Sequence, residues 1–92
     1  DRITLAQNYP NPFNPTTMIQ YELNEPKEIN LLIFNTSGQI VRRLVNGYQN
    51  AGTHQVIWDA KNDQGVHVPS GIYYYRLLAG DIVLNRKLLL LK

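Results

Sequence analysis

Residues 71–91 read GIYYYRLLAGDIVLNRKLLLL. The run divides at Gly80-Asp81, a two-residue connection of the composition that tight β-hairpins favour. Aromatic and aliphatic residues fill both arms, so the spacing predicts two long strands, Gly71–Ala79 and residues 82–91. Tyr73, Tyr74 and Tyr75 fall on alternating sides of the first arm, so aromatic rings lie on both of its faces.

The same period of two continues upstream. Ile19, Tyr21 and Leu23 alternate with Gln20 and Glu22, and Ile29, Leu31 and Ile33 alternate after the break at Asn24-Glu25-Pro26. Each is the pattern of a half-buried strand. Thr36-Ser37-Gly38 turns the chain into a third strand over residues 40–45, and Asn46-Gly47 and Ala51-Gly52 then punctuate a loop. His54, Val56 and Trp58 share one face of a fourth strand, which puts Trp58 at the centre of the core. Residues 59–65, DAKNDQG, are dense in turn formers, and a short strand over residues 66–68 ends at Pro69-Ser70-Gly71. Strands at this spacing, with no helical period between them, predict an all-β antiparallel sandwich of about seven strands in one domain.

Ahead of these strands stands NYPNPFNP, residues 8–15. Pro10, Pro12 and Pro15 fix φ and bias their predecessors away from helix, so residues 1–17 read as an extended Pro/Asn-rich lead-in segment and residues 18–92 as the sandwich. Asn8, Asn11 and Asn14 suit turns, and the rings of Tyr9 and Phe13 suit pinning the strap onto an apolar surface.

Composition narrows the function classes. The chain has 92 residues, 43% of them hydrophobic, and no cysteine, which excludes disulfide frameworks, thiolate metal sites and cysteine nucleophiles. A formal charge of +2 from nine basic and seven acidic residues is no footprint for nucleic acid. No apolar run, that of residues 88–91 included, comes near the roughly 20 residues of a membrane-spanning helix. Asp1 follows neither an initiator Met nor a signal-peptide pattern, so the chain reads as a piece cut from a longer precursor. Composition gives no guide to oligomeric state.

Seven blocks, in order, carry a resemblance: NPFNPTT (residues 11–17), Gly38-Gln39, Ala51-Gly52, Trp58-Asp59, Asp63-Gln64-Gly65, Ser70-Gly71-Ile72-Tyr73 and the closing KLLLLK. Their sequence and spacing resemble the type IX, or Por, C-terminal sorting domain, type A. The middle blocks also resemble the immunoglobulin-like domain of flagellar hook-capping proteins. The resemblance implies an immunoglobulin-like fold, with Gly38, Gly52, Trp58, Asp59, Gly65, Gly71 and Tyr73 as its structural turn and core residues. It also implies a role: an N-terminal passenger is directed through an outer-membrane translocon to the surface or the medium, and a sortase-like peptidase then removes the domain. By position, the family's recognition strip falls on Arg86, Lys87, Leu88, Leu89, Leu90, Leu91 and Lys92, and its opening motif on Asn11, Pro12, Phe13, Asn14 and Pro15. A last strand near a sheet edge also offers unpaired backbone groups to a partner.

The same sequence contains candidates for other chemistries. Asp59, Asn62 and Asp63 are candidate oxygen ligands for calcium, but turn formation explains the same residues. His54 and His67 fall short of the three protein ligands of a zinc catalyst. Ser37 and Ser70 lack any motif that supplies a base, and seven acids scattered in turns make no glycosidase pair. Neither enzyme activity nor a cofactor is expected. The alternative readings are a carbohydrate-binding module, with the outward ring of the Tyr73–Tyr75 run as a stacking platform, or a plain immunoglobulin-like spacer attached to a secreted enzyme.

Overall fold

The computed structural model describes residues 2–91, which form seven strands and no helix. These are β1 (Thr4–Leu5), β2 (Thr17–Leu23), β3 (Lys27–Phe34), β4 (Ile40–Gln49), β5 (Gly52–Trp58), β6 (Gly71–Ala79) and β7 (Ile82–Leu90). A three-stranded sheet, β1-β2-β5, packs on a four-stranded sheet, β4-β3-β6-β7, and every pairing between strands is antiparallel. The expected sandwich is therefore the observed architecture.

The alternating positions read from the sequence supply its core. Ile19, Tyr21 and Leu23 from β2 meet Ile29, Leu31 and Ile33 from β3, and Tyr73, Tyr75 and Leu77 from β6 complete the layer. Trp58 is fully buried at its centre, with its ring 5.7 Å from Phe13 and 5.5 Å from Tyr73, both in tilted or edge-on contact. Such geometries suit aromatic rings better than face-to-face stacking.

Three local expectations change. Residues 66–68 form no strand; His67 makes a single bridge to Lys61, and Val68 N–H donates to Ala60 O at 2.9 Å. The segment closes a loop against its own start, and among the described residues it pairs with no strand. Asn46-Gly47 does not end a strand either, because β4 runs on to Gln49, with Asn46 opposite Asn30 and Gly47 opposite Ile29. Cross-strand pairing overrides the local turn preference there. Within the lead-in segment, Thr4 and Leu5 pair with Glu22 and Tyr21 and add a third strand to the smaller sheet.

The same turn is built twice. Asn35 Oδ1 accepts the N–H groups of Ser37 and Gln39, and Asn62 Oδ1 accepts those of Gln64 and Val66, all at 2.9–3.0 Å. In both, the glycine three residues on returns its N–H to the Asn carbonyl with φ near +80°, at Gly38 (82°) and Gly65 (79°). An L side chain is disfavoured at that φ, so Asn-x-x-Gly is the sequence this turn requires.

Candidate functional site

The terminal strip is split between the two faces of β7. Leu88 and Leu90 point inward and are fully buried, Leu89 is half-buried on the outer face, and Leu91 is exposed beyond the strand end. Arg86 and Lys87 are both exposed. Arg86 is nonetheless engaged, since its Nε donates to Leu5 O at 2.8 Å and ties β7 to β1 of the opposite sheet. Lys92 lies outside the described residues.

The edge of β7 is not open over this strip, contrary to the sequence expectation. The strap lies along it. Gln7 Nε2 donates to Lys87 O at 2.8 Å, and Leu89 N–H donates to Asn11 Oδ1 at 3.0 Å. Phe13 N–H donates to Leu89 O at 3.1 Å, and Leu91 N–H donates to Phe13 O at 3.0 Å, so Phe13 pairs in parallel with Leu90. The backbone groups that would recruit a partner strand are thus taken by the chain's own beginning. No short-range sequence signal announces this, because the partners are some 80 residues apart.

The strap's own anchors are Phe13 and Asn8. Phe13 is 2% exposed against Trp58, whereas the Tyr9 ring is 76% exposed and only its backbone is held, by Met18. Asn11, Pro12, Asn14 and Pro15 remain on the surface. Asn8 is buried in a hydrogen-bonded cluster that sequence reading missed. Its Nδ2 donates to Thr17 Oγ1 (2.9 Å) and to Pro10 O (3.1 Å), and the Thr17 hydroxyl donates to Pro10 O (2.8 Å). The Tyr75 hydroxyl accepts Asn8 N–H at 2.8 Å and donates to Ala6 O at 2.6 Å. Burial pushes the Tyr75 phenol up to about 12, against the opposing pull of the Asn8 N–H and Arg86.

The turn residues act together. Trp58 Nε1 donates to Lys61 O at 2.9 Å, while Asp59 Oδ1 accepts Lys61 N–H at 3.2 Å and Arg42 Nη1 at 3.1 Å. This brackets Ala60, which is fully buried at φ 63°. Burial alone would raise the Asp59 carboxyl, but the Arg42 and Lys61 bonds outweigh it and hold it below its usual value. Asp63 caps the neighbouring edge, accepting the Arg43 N–H at 2.9 Å and Arg43 Nη1 at 3.0 Å. Gly52 begins β5, and Gly71 begins β6 with φ 146°. Tyr73 is buried, and its hydroxyl donates to Pro69 O at 2.6 Å.

The remaining candidates stand apart. His54 stacks on Tyr21 with ring centres 5.2 Å apart, while His67 is an exposed loop residue. Among the described residues no three His, Cys, Asp or Glu side chains come together, and no helix is long and apolar enough to cross a membrane. A hollow of about 460 Å³ is lined by residues that include Asn35, Gln39, Asn62, Gln64 and Tyr73, so it offers amide hydrogen bonds. Of the tyrosine run, only Tyr74 presents its ring outward, at 40% exposure.

Comparison with known proteins gives a consistent placement. The family model of the FlgD Ig-like domain matches residues 12–81. The basal-body rod modification proteins FlgD of Salmonella typhimurium (strain LT2) and Salmonella typhi are each 34% identical to this chain over 67 residues, 72% of this chain and 29% of theirs. The chain thus spans under a third of the length of these curated relatives. Among solved structures, dimeric latent PorU from Porphyromonas gingivalis is similar over 99% of this chain and 10% of its own, at TM-score 0.77 and 14% identity. PorZ, an essential bacterial surface component of the type-IX secretion system of P. gingivalis, is similar over 98% of this chain and 11% of its own, at TM-score 0.61 and 17% identity. FlgD from P. aeruginosa is similar over 80% of this chain and 58% of its own, at TM-score 0.63 and 23% identity. At these identities the structural likeness is one of fold.

Proposed function

The chain belongs to the FlgD Ig-like domain family, and from that premise we propose that it serves as a C-terminal sorting domain, directing an N-terminal passenger through a type IX outer-membrane translocon. The observation that carries this reading is the extent of the likeness. The family match ends at residue 81, before β7, whereas the likeness to PorU and PorZ runs over 99% and 98% of the chain and so takes in the strap and the last strand together. Those are the two segments that the strap's hydrogen bonds knit into one unit.

In this reading the domain is a handle: it folds on its own core, is read at the outer membrane, and is cut away by a sortase-like peptidase of which it is the substrate. It performs no chemistry itself. Its place is in exported proteins of a Gram-negative cell, from periplasm to outer membrane, surface or medium. The test is to fuse residues 1–92 to a periplasmic reporter in a type IX-competent strain. Export that requires the translocon supports the proposal, and a reporter that is folded, stable and retained in the periplasm overturns it.

One observation favours a second reading. The relatives matched at 34% identity are basal-body rod modification proteins, which suits a plain immunoglobulin-like module in a larger assembly. The fusion separates the two, because a spacer exports nothing.

A further inference from the structure

The two sheets turn unlike faces to solvent. On the three-stranded sheet the outward polar side chains satisfy one another. Gln55 Nε2 donates to Gln20 Oε1 at 3.0 Å, and the Thr4 and Thr53 hydroxyls donate to the Glu22 carboxylate at 3.3 and 3.2 Å. Ile57 is the one large apolar side chain exposed on its strands among the described residues. That is the ordinary solvated side of an antiparallel sheet.

The four-stranded sheet differs. On its outer face Ile72, Tyr74 and Arg76 of β6 stand opposite Leu89, Lys87 and Asn85 of β7, and Phe34 of β3 stands opposite Tyr74. Ile72 and Tyr74 are 42% and 40% exposed. Two hollows flank Tyr74. One, of about 260 Å³, is lined by Asn11, Pro12, Ile72, Lys87, Leu88 and Leu89. The other, of about 370 Å³, includes Phe34, Tyr74, Arg76 and Asn85 in its lining.

The second hollow presents a held cation. The Arg76 guanidinium lies over the Phe34 ring, 4.7 Å from its centre, and its Nε donates to Asn85 Oδ1 at 2.8 Å. The plane is fixed, and the two terminal nitrogens make no hydrogen bond among the described residues. Lys27, Arg42 and Arg43 each have a carboxylate partner, but Arg76 and Lys87 have none among the described residues. A guanidinium fork in a fixed plane matches a carboxylate bidentately. Aliphatic, aromatic and Arg side chains clustered without acids are also the composition of a protein-interface centre.

We propose that this face docks an extended acidic segment of another polypeptide, with an aliphatic side chain in the Ile72–Leu89 hollow and a carboxylate on Arg76. Charge complementarity selects the occupant, since the patch carries two cations without acids. Spacing selects its pattern. Ile72 and Arg76 are four residues apart on one strand, about 13 Å, so an extended ligand brings the aliphatic and acidic residues to the two hollows when they too are four positions apart. The side chain between them lies over Tyr74. This inference does not depend on the export reading.

The test is a titration of the isotope-labelled domain, followed by amide chemical shifts. The probes are a synthetic Leu-x-x-x-Glu peptide with further acidic residues, its lysine-for-glutamate counterpart, and polygalacturonate as an acidic saccharide. The expected result is shifts concentrated at Ile72, Tyr74, Arg76, Lys87 and Leu89 with the acidic peptide only. Arg76→Gln combined with Lys87→Gln should weaken that binding about tenfold or more, as loss of a charge-assisted pair does. Absence of shifts on this face, equal binding of the lysine peptide, or binding of polygalacturonate in place of the peptide would each overturn the proposal. The wild-type titration decides even if the double variant fails to fold.

Discussion

The backbone N–H of Leu89 donates to Oδ1 of Asn11, 3.0 Å away and 78 residues earlier in the chain. One asparagine side chain thereby closes part of the edge of β7, between the Gln7 bond to Lys87 O and the Phe13 backbone pair. Asn11→Ala should cost about 1 kcal/mol, the net value of one hydrogen bond. Its effect should be local: hydrogen exchange should quicken at Leu89 and Leu91 and remain unchanged in β3. Uniform acceleration across both sheets would mean the strap is part of the global folding unit.

Trp58 is fully buried between Phe13 and Tyr73, and its indole N–H closes the turn on Lys61 O. Trp58→Ala removes a large volume from the centre of the core and should cost about 3–5 kcal/mol. For a domain of this size that is a large share of the total stability. Urea denaturation measures it, and a midpoint near that of wild type would refute the central placement.

The Tyr75 phenol predicts alkaline behaviour. Its folded value, raised by burial to about 12, lies above the ordinary 10.0 of an unfolded tyrosine, so the fold favours the protonated form. The resulting stability is fully present below pH 10 and is lost as pH rises toward 12. Melting temperature should therefore hold through mildly alkaline pH and fall steeply beyond it. Tyr75→Phe should destabilise by about 1–3 kcal/mol at neutral pH, because Asn8 N–H and Ala6 O lose their partner. It should also flatten, without abolishing, the alkaline loss, since burial raises Tyr21 and Tyr73 as well.

Much of the fold was legible because its signals are local. The alternation at Ile19-Tyr21-Leu23 and Ile29-Leu31-Ile33, and the hairpin turn at Gly80-Asp81, name buried faces and reversals within a few residues. What escaped depends on distant partners. Residues 66–68 have the composition of a strand but, among the described residues, pair only with the start of their own loop. Asn46-Gly47 has the composition of a turn but is held straight by Asn30 and Ile29. The run of four leucines conceals an alternation that appears only once β7 is seen with a core on one side. Asn8, with no periodic signal, became a buried hub through Thr17 and Pro10, which are local, and Tyr75, which is not.

The loop over residues 59–65 predicts indifference to divalent cations. Asp59 Oδ1 accepts from Arg42 and Lys61, Asn62 Oδ1 from Gln64 and Val66, and the Asp63 carboxylate from Arg43. Calcium would have to displace these donors to gather the 6 or more oxygens, roughly, that it needs. Thermal melts with a chelator and with added calcium should coincide. A melting temperature that rises with calcium concentration would show ligand-linked stabilisation and restore the metal reading.

On the proposed export reading, an address on the terminal strip can be tested separately from the fold, because β7 has two unlike faces. Leu88 and Leu90 are fully buried, so replacing either with Ala should cost about 2–5 kcal/mol and impair export through unfolding alone. Arg86 is also unsuitable for the test, because Arg86→Gln loses its bond to Leu5 O and loosens β1. Lys87 and Leu89 point the other way, and their backbone bonds to the strap survive a change of side chain. Lys87→Gln with Leu89→Gln should therefore keep the circular dichroism spectrum and most of the melting temperature, as surface substitutions usually do. Export of a fused reporter should nevertheless fall. The comparison with Leu88→Ala supplies the control, since a folded but retained protein and an unfolded one are distinguished by protease resistance in the periplasm. Should the outward pair remain folded and be exported as well as wild type, the outer side chains of the terminal strip are not what the translocon reads.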